Sequence, residues 1–300
     1  MVKIRAWISA ARLRTLPLSI SGIITGSGLA YNAGYFDWSI FSLSLITTLV
    51  FQILSNFAND YGDGVKGTDN ADRIGPMRAM QSGLLSASEL KNGVIFTAIL
   101  SVLLSIALIY NAFGEENFFH SMLFFFLGIG AVLAAVRYTV GNKAYGYRGM
   151  GDIFVFMFFG LVAVIGCYFL YAKTLSTAIL YPAVTVGLLS TGVLNLNNMR
   201  DREPDARASK RTLAVLLGES KSKIYHSILI IVAFLMALFY FVHTSNWQWS
   251  ALAFIAFIPL ASHLIKVFKV QAPALLDPEL KKVALSTFLF SLLFALGFLL

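Results

Sequence analysis

The sequence predicts an all-α polytopic membrane protein, a single intramembrane domain over residues 1–300 with nine transmembrane helices around a central cavity. Composition, the spacing of apolar runs and the placement of basic residues support this fold class. The chain is 58% hydrophobic and only 13% charged, and its mean hydropathy is +0.75. Such values are typical of membrane proteins and exclude an ordinary water-soluble domain.

Nine apolar runs account for the predicted helices. A bilayer core about 30 Å thick requires roughly 20 apolar residues per helix. Runs of about this length occupy residues 16–34, 39–58, 93–112, 118–138, 153–172, 177–196, 225–243, 249–266 and 283–300. The first run is longer than the apolar part of a signal peptide, so we interpret it as a retained helix.

The basic residues lie on one side of this arrangement. Of 23 Lys and Arg residues, all except Lys173 fall in the N-terminal segment or in the loops after helices two, four, six and eight. The positive-inside rule then places the N-terminus in the cytoplasm and the C-terminus outside, as in a bacterial inner (cytoplasmic) membrane. The net charge of +8 therefore reflects topology, and no nucleic-acid partner is expected.

Two acidic motifs repeat along the chain. The first contains Asn59-x3-Asp63 and the second contains Asn197-x3-Asp201-x3-Asp205, with the same offset at both shared positions. They follow the second and sixth predicted helices, so both lie on the cytoplasmic side. This repetition predicts two four-helix repeats, 1–140 and 141–270, with a ninth helix at 283–300 and one cavity between the repeats.

The spacing within each motif predicts its geometry. Residues four apart lie on one face of a helix, so the second motif predicts a stripe of three oxygen ligands, although Pro204 indicates an irregular helix end. In the first motif position 67 is glycine and the next carboxylate is Asp69. The chain must turn between Asp63 and Asp69, and we expect Gly62, Gly64 and Gly67 to supply the conformational freedom.

Clustered Asp and Asn oxygens are hard ligands that suit Mg²⁺, which commonly joins one or two carboxylates to a substrate phosphate. Arginines and lysines on the same side would complete a clamp for a diphosphate, and the charges balance best with two Mg²⁺ ions. The residue pattern fits neither an EF-hand nor a P-loop. Solvated loop charges are the simplest alternative, but such charges have no reason to repeat at equivalent helix ends.

A diphosphate site facing a membrane cavity implies a lipid diphosphate. Cleavage of its carbon–oxygen bond would leave an allylic cation that aromatic faces could stabilise, and Tyr138 and Tyr145 are the best placed aromatic candidates. Cys167 and the four histidines show no ligand spacing, and we interpret them as structural.

Three segments resemble the UbiA superfamily of intramembrane aromatic prenyltransferases, and within it the family of 1,4-dihydroxy-2-naphthoate polyprenyltransferases. They read NFANDYGDGVKGTDNADRIGP, YTVGNKAYGYRGMGDIFVFMFFG and NLNNMRDREPDARASKRTLAVLLG. The resemblance covers essentially the whole chain. It implies transfer of a polyprenyl group from polyprenyl diphosphate to 1,4-dihydroxy-2-naphthoate, with loss of CO₂ and formation of demethylmenaquinol in menaquinone biosynthesis.

The resemblance also implies roles for individual residues. One Mg²⁺ would be held by Asn59, Asp63 and Asp69, and the other by Asn197, Asp201 and Asp205, the four carboxylates being the catalytic groups. The residues expected to contact the diphosphate are Arg73, Lys143 and Lys210, with Arg78 and Arg200 as further candidates. Asp152 would orient the aromatic acceptor or a basic residue, or would cap a helix.

Two alternatives remain open on the sequence. A sister prenyltransferase would keep the metal site and use another acceptor, such as 4-hydroxybenzoate, or a phytyl donor. A transporter built on parallel repeats would place ionisable groups near the middle of the bilayer. Because nearly all acidic residues lie at helix ends on one side, the sequence favours an enzyme at the membrane surface.

Overall fold

Long apolar helices make up most of the chain in a computed structural model, which describes residues 2–70, 73–245, 247 and 249–300. No strand occurs among these residues. The helices are α1 Val2–Ala11, α2 Leu16–Asn32, α3 Trp38–Val65, α4 Ala87–Phe113, α5 Phe118–Arg137, α6 Gly151–Ala172, α7 Thr177–Arg200, α8 Arg202–Arg207, α9 Leu213–Thr244, α10 Trp249–Lys269 and α11 Leu276–Leu296.

Seven of the helices in the described part of the chain, α3 to α7, α9 and α10, are long and apolar enough to cross a membrane. The predicted spans 16–34 and 283–300 coincide with α2 and α11. Helix α2 has only 17 residues, and the first turn of α11 carries two acidic residues. The all-α membrane architecture is therefore confirmed, whereas the count of nine crossings and the division into repeats stay predictions.

Local signals fix where the motif-bearing part of the chain starts and stops. The Asp37 carboxylate caps α3 by accepting hydrogen bonds from the Ser39 and Ile40 amides. Ser86 and Glu89 form a reciprocal capping box at the start of α4. Such caps satisfy amides that a helix start leaves unpaired, so they set the residues at which α3 and α4 begin.

Helix α6 combines an α-helical start and end with a π-helical middle, Phe156–Gly166. It packs very closely on α7, since a Cβ atom added to Gly160 would lie 2.6 Å from the Gly187 Cα. Small residues allow such close approach between membrane helices. The wide π-helical segment lies along the cavity and contributes Phe158, Phe159 and Val162 to its wall.

The apolar core has two parts. A large cluster contains residues of α2, α4, α6, α7, α9, α10 and α11. A smaller one packs α1 against α3 and α4. In the smaller cluster the Trp7 and Phe57 rings meet edge to face at 5.0 Å. This contact fixes α1, and the turn that follows it, against the motif-bearing end of α3.

A buried polar network ties the last three long helices together. His226 and His263 share a hydrogen bond of 2.7 Å between their Nε2 atoms, and His263 Nδ1 lies 2.7 Å from Glu279 Oε2. Glu279 is only 1% exposed and also pairs with Lys266 and Lys282. The structural interpretation of these two histidines agrees with this role, although their meeting was not predicted.

Candidate functional site

A cavity of about 410 Å³ lies between the helices and is lined by residues of α2 to α7 and α11. At one end its wall carries residues of both acidic motifs, among them Asn59, Asp63, Asn197 and Asp201. Toward the opposite ends of the helices the wall is apolar, with Ile23 and Leu108 as examples. The cavity therefore joins a polar mouth to an apolar interior.

The first motif folds back on itself as the spacing predicted. Helix α3 ends at Val65, Gly67 adopts φ +72, and the Thr68 amide donates to the Asp63 carbonyl at 2.9 Å. A glycine at positive φ ends many helices in this way. The Asp69 amide also reaches the Asp63 carbonyl, at 3.4 Å, so both carboxylates belong to one turn.

The expectation that Gly62 and Gly64 supply freedom for this turn is wrong, because both lie within α3. Gly62 instead permits close contact. A Cβ atom there would lie 2.4 Å from Thr139 Oγ1 and 2.8 Å from the Thr139 carbonyl carbon. At Gly64 the corresponding atom would lie 2.5 Å from Met80 Sδ.

The second motif bends earlier than predicted. Helix α7 ends at Arg200, Asp201 leaves the helical conformation at φ −93 and ψ 10, and the short helix α8 begins at once. Pro204 lies in the first turn of α8, where a missing amide hydrogen is tolerated. The irregular helix end that Pro204 indicated is therefore present, three residues earlier than Pro204 itself, and the Asp205 amide donates to the Asp201 carbonyl at 2.8 Å, which keeps these residues adjacent.

Two cations join the motifs across the mouth of the cavity. Lys210 Nζ lies 3.2 Å from Asp63 Oδ2 and 3.8 Å from Asp205 Oδ1. Arg73 pairs with Asp69, and its Nη2 lies 3.8 Å from Asp201 Oδ2. Each cation thus contacts one carboxylate of each motif, and the predicted convergence of the two motifs is observed.

Arg200 organises the second motif. Its Nη2 donates to Asp201 Oδ2 and to Asn197 Oδ1, both at 2.8 Å, and its Nε donates to Asp201 Oδ1 at 3.0 Å. A further ion pair links it to Asp277 at the start of α11. Arg200 is only 2% exposed and does not line the cavity, so in this arrangement it orients Asn197 and Asp201 from the side away from the cavity.

The four predicted carboxylates are buried, with exposed fractions between 4% for Asp201 and 8% for Asp69. Burial raises the pKa of Asp205 to about 7 and also raises the pKa of Asp69, despite the charge of Arg73. Burial opposes ionisation of Asp201 too, but Arg200 outweighs it and holds that pKa below its usual value. Asp69 and Asp205 thus lack full charge compensation.

The donor set suits a hard cation. Four carboxylates and two amide side chains supply oxygen ligands, and Asp69 Oδ2 is buried without a hydrogen-bond partner. Within the described ranges, no three His, Cys, Asp or Glu residues are arranged as a ready-made metal site. Mg²⁺ needs no such cage, because it keeps several waters and uses one or two carboxylates with substrate phosphates. The residues present therefore fit Mg²⁺.

Aromatic side chains border the polar mouth. Tyr138 and Tyr145 line the cavity and meet edge to face at 5.3 Å, and Tyr145 stacks on Phe154 at 3.9 Å. Tyr147 was not among the predicted residues. Its hydroxyl donates to Asp63 Oδ1 at 2.7 Å, and its ring lies beneath Lys66 Nζ at 3.9 Å. Only its position, two residues after the predicted site residue Tyr145, indicated in the sequence that Tyr147 could belong to the site.

Five predicted residues do not line the cavity wall. Three of them, Asp69, Arg200 and Asp205, pair with the lining residues Arg73, Asp201 and Lys210. The other two are Lys143 and Asp152. Lys143 lies exposed in the turn between α5 and α6 and does not line the cavity wall. Asp152 is buried in the first turn of α6, where its carboxylate lies beside Tyr225. The capping interpretation of Asp152 is wrong, because Met150 holds the N-cap position. A carboxylate in the first turn still interacts favourably with the helix dipole.

Arg78 does line the cavity, but its partner was not predicted. Arg78 Nε lies 3.6 Å from Asp60 Oδ1, and Arg12 pairs with the same oxygen. Asp60 follows Asn59 directly and is only 1% exposed. The position of Asp60 next to a predicted metal ligand was the only indication in the sequence that it belongs to the site. Its partner Arg12 lies 48 residues away and could not be predicted.

Comparison with known proteins gives consistent results over the whole chain. A sequence model of the UbiA prenyltransferase family matches residues 20–292. A Haemophilus influenzae protein named 1,4-dihydroxy-2-naphthoate octaprenyltransferase is 46% identical, over 99% of this chain and 96% of the relative. An Escherichia coli protein of the same name is 40% identical, over 98% and 94%. A solved UbiA homologue from Archaeoglobus fulgidus, bound to DMAPP and Mg²⁺, superposes with a TM-score of 0.63 at 16% identity, over 98% and 99% of the two chains.

Proposed function

Since the chain belongs to the UbiA prenyltransferase family, we propose that it transfers a polyprenyl group from polyprenyl diphosphate to 1,4-dihydroxy-2-naphthoate. Diphosphate and CO₂ leave, and demethylmenaquinol forms for menaquinone biosynthesis. The observation that carries the proposal is the junction of the two motifs by Lys210 and Arg73 at the mouth of an apolar cavity. The names of the two close relatives support this acceptor.

In this proposal the oxygen donors hold Mg²⁺, with one ion on the first motif and a second on the other. The first set is Asn59, Asp63 and Asp69, and the second is Asn197, Asp201 and Asp205. Mg²⁺ held there would supply the positive charge that makes diphosphate a better leaving group. Because Lys210 and Arg73 already lie between the motifs, they can donate hydrogen bonds to phosphate oxygens entering the same space. Lys143 does not line the cavity, and its role stays a prediction.

The cavity would protect the cation that forms when the carbon–oxygen bond breaks. The Tyr138, Tyr145 and Phe154 rings lie at its polar end, and π faces attract positive charge. Apolar residues farther in exclude water, which would otherwise trap the cation as an alcohol.

The site also supports an orientation in the membrane. An integral membrane protein with both motifs at one end can meet a water-soluble acceptor and release diphosphate on that side. We place this end in the cytoplasm, with the N-terminus inside and the C-terminus outside, in a bacterial inner membrane. The basic residues around the motifs support this orientation.

The test uses purified full-length protein in detergent with a polyprenyl diphosphate and 1,4-dihydroxy-2-naphthoate. Prenylated product and CO₂ should form together with Mg²⁺ and cease when EDTA removes the metal. Replacing the acceptor by 4-hydroxybenzoate tests the sister activity. Turnover with only the latter acceptor would overturn the acceptor assignment, and metal-independent turnover would overturn the assignment of the motifs.

A further inference from the structure

The start of α11 contacts the second motif from the side away from the cavity. Asp277 lies in the first turn of α11, and its carboxylate accepts a hydrogen bond from Nη1 of Arg200, 77 residues earlier in the chain. Neither residue lines the cavity. The Arg200 side chain is only 2% exposed, whereas that of Asp277 keeps 43% exposure. The ion pair therefore connects a carboxylate at the protein surface to a buried cation of the site.

The guanidinium group of Arg200 divides its donors between the motif and α11. Nε and Nη2 donate to the two oxygens of Asp201, and Nη2 also donates to Asn197 Oδ1. In the described part of the chain, Nη1 donates to Asp277 alone. A guanidinium group is planar, with its donors in a rigid fork. The partner of Nη1 therefore determines the direction in which the other donors point.

The Arg200 side chain has little room for another orientation. Gly75 lies in the loop after the first motif, and a Cβ atom there would lie 2.5 Å from Arg200 Nη2 and 3.3 Å from Arg73 Nη2. Glycine at this position lets the loop pass directly over both guanidinium groups. Arg200 is thus enclosed between this loop, the second motif and the start of α11.

The start of α11 is itself held in place. Glu279, two residues after Asp277, is only 1% exposed and lies 2.7 Å from His263 Nδ1 in α10. It also pairs with Lys266 of α10 and with Lys282 one turn farther along α11. These contacts fix the first turn of α11 against α10, so Asp277 meets Arg200 from a rigid element.

The charge of Asp277 matters as well as its direction. Arg200 occupies both oxygens of Asp201, so the guanidinium group and a metal ion on the second motif share one carboxylate. An ionised carboxylate has about four acceptor sites and can serve both. Asp277 offsets part of the positive charge of Arg200, which reduces its repulsion of a nearby cation. A carboxylate in the first turn of a helix also favours the helix dipole, but that role alone predicts no effect on metal binding.

We propose that Asp277 is a positioning residue for the second motif, and that through Arg200 it holds Asn197 and Asp201 in the arrangement that binds Mg²⁺. The proposal rests on the proposed function, because it concerns the metal ion assigned there to the second motif. Outer partners that orient metal ligands typically contribute about 10- to 100-fold to metal affinity. Asp277 acts one residue farther out, so we expect a contribution of roughly three- to tenfold.

The test titrates Mn²⁺ into the full-length protein in detergent and follows the free ion by electron paramagnetic resonance. Mn²⁺ prefers oxygen ligands, as Mg²⁺ does. Asp277→Asn should raise the Kd for Mn²⁺ roughly three- to tenfold at the site that Asp201→Asn abolishes. Asp277→Glu restores the charge and should recover most of the affinity. In turnover assays of Asp277→Asn, the Mg²⁺ concentration for half-maximal rate should rise by the same factor, with kcat at saturating Mg²⁺ nearly unchanged.

Glu203→Gln is the matched control for loss of charge. Glu203 is an exposed carboxylate in α8, next to the second motif, and it pairs with Arg202. The variant removes the same charge as Asp277→Asn without a contact to Arg200, and its Kd for Mn²⁺ should equal that of the unmodified protein. Equal losses of affinity in Glu203→Gln and Asp277→Asn would show a general effect of negative charge and would overturn the proposal.

A double-mutant cycle tests the path through Arg200. In an Arg200→Gln background, Asp277→Asn should change the Kd no further, because the two residues act on the ligands through one contact. An undiminished further loss in that background would overturn the proposal. If Arg200→Gln does not fold, the single variants decide the question. An unchanged Kd in Asp277→Asn, with a lower thermal midpoint, would show that Asp277 serves only the stability of α11.

Failure of the proposed function gives a different result. If the unmodified protein gives no prenylated naphthoate but Asp277→Asn still weakens Mn²⁺ binding, the positioning role stands and the reaction assignment fails. If product forms and the Kd of Asp277→Asn is unchanged, the reaction stands and the positioning role fails. If the unmodified protein binds no Mn²⁺, both fail.

Discussion

At the scale of single residues, every carboxylate of the two motifs already has a cationic partner in the protein. Lys210, Arg73 and Arg200 offset part of the negative charge of carboxylates that would otherwise repel one another in a buried place. A buried carboxylate without such a partner would be costly. The site therefore holds its ligands in position before any substrate arrives.

Replacing Asp63 or Asp201 by asparagine should lower turnover at least about 100-fold, because each loses a charge at the developing diphosphate. Steady-state product formation measures the effect, with circular dichroism as a check on folding. Asp37→Asn at the other end of α3 keeps an N-cap side chain and should retain full activity. Equal losses in Asp37→Asn would show that the effect reflects general damage to the helix.

Tyr147→Phe removes one hydrogen bond to Asp63 but keeps the ring beneath Lys66. A hydrogen bond to a charged group contributes about 1.5–3 kcal/mol, so we expect kcat/KM to fall roughly tenfold or more. The exposed Tyr110 offers the matched control, Tyr110→Phe. If kcat/KM of Tyr147→Phe equals that of the unmodified protein, Tyr147 does not orient Asp63 during the reaction.

The sequence predicted the oxygen donors at this scale because spacing along one helix is a local property. It did not predict the partners of those donors. Tyr147 meets Asp63 across 84 residues, and Arg12 meets Asp60 across 48. Such contacts depend on which helices become neighbours, and one sequence does not state that. The absence of Lys143 from the cavity wall was not foreseen for the same reason, since a basic residue in a loop can point either way.

At the scale of helices, close approach at glycines sets the geometry of the site. Helix α3 touches Thr139 through Gly62, and Thr139 Oγ1 in turn donates to the Ala58 carbonyl at 2.9 Å. The sequence interpretation assigned Gly62 to chain flexibility, because a glycine near a turn usually serves that purpose. The contact with Thr139, which is distant in sequence, shows that Gly62 serves close packing.

Gly62→Ala should therefore destabilise the protein by about 1–3 kcal/mol through overpacking and should displace Asn59 and Asp63. A lower thermal midpoint together with reduced turnover is the expected result. Gly130→Ala is the matched control, because its Cβ would meet no atom within 4 Å and alanine favours a helix. An unchanged midpoint in Gly62→Ala would mean that Thr139 can move aside freely.

Glu279→Gln should loosen the packing of α9, α10 and α11. The carboxylate accepts from Lys266 at 2.8 Å and lies 2.7 Å from His263 Nδ1 inside the protein. Removing one partner of a buried charge network typically costs about 3–5 kcal/mol. A thermal unfolding scan should show the loss, and the exposed Glu116→Gln should show none. Equal midpoints in the two variants would contradict a structural role for the network.

Helix α6 shows what apolar composition leaves open. The run 153–172 predicted a membrane helix, and a helix lies there as Gly151–Ala172. Its π-helical middle was not predicted. Hydropathy indicates that a segment is buried in the membrane, but it does not indicate whether the backbone hydrogen bonds follow the α-helical or the π-helical pattern. Hydropathy likewise did not locate the helix break at Asp201. The proline at position 204 suggested that the break would lie three residues later.

At the scale of the whole molecule, two motifs far apart in sequence meet at one cavity mouth. Their matching position at the ends of two helices predicted this meeting, and Lys210 and Arg73 join them. The all-α membrane fold followed from composition, the spacing of the apolar runs and the placement of the basic residues. The number of crossings does not follow as firmly, since α2 is short and α11 begins with charged residues.

Mg²⁺ and a prenyl diphosphate together should stabilise the folded protein, because a ligand that binds only the native state adds stability by mass action. At a concentration of 100 times Kd the gain is about 2.7 kcal/mol. The shift in thermal midpoint with Mg²⁺ and geranyl diphosphate together should exceed the sum of the shifts with each alone. Asp201→Asn should abolish the difference. Purely additive shifts from metal and diphosphate would contradict a shared site.

The bridging of both motifs by the same two cations has an evolutionary consequence. A lineage that lost Asp63 would leave Lys210 buried against a single carboxylate, and a lineage that lost Lys210 would leave Asp63 and Asp205 short of a cation. Either first step is harmful by itself, so these three positions cannot drift independently. The mouth of the cavity must therefore be inherited as a unit, even where the helices that carry it diverge freely.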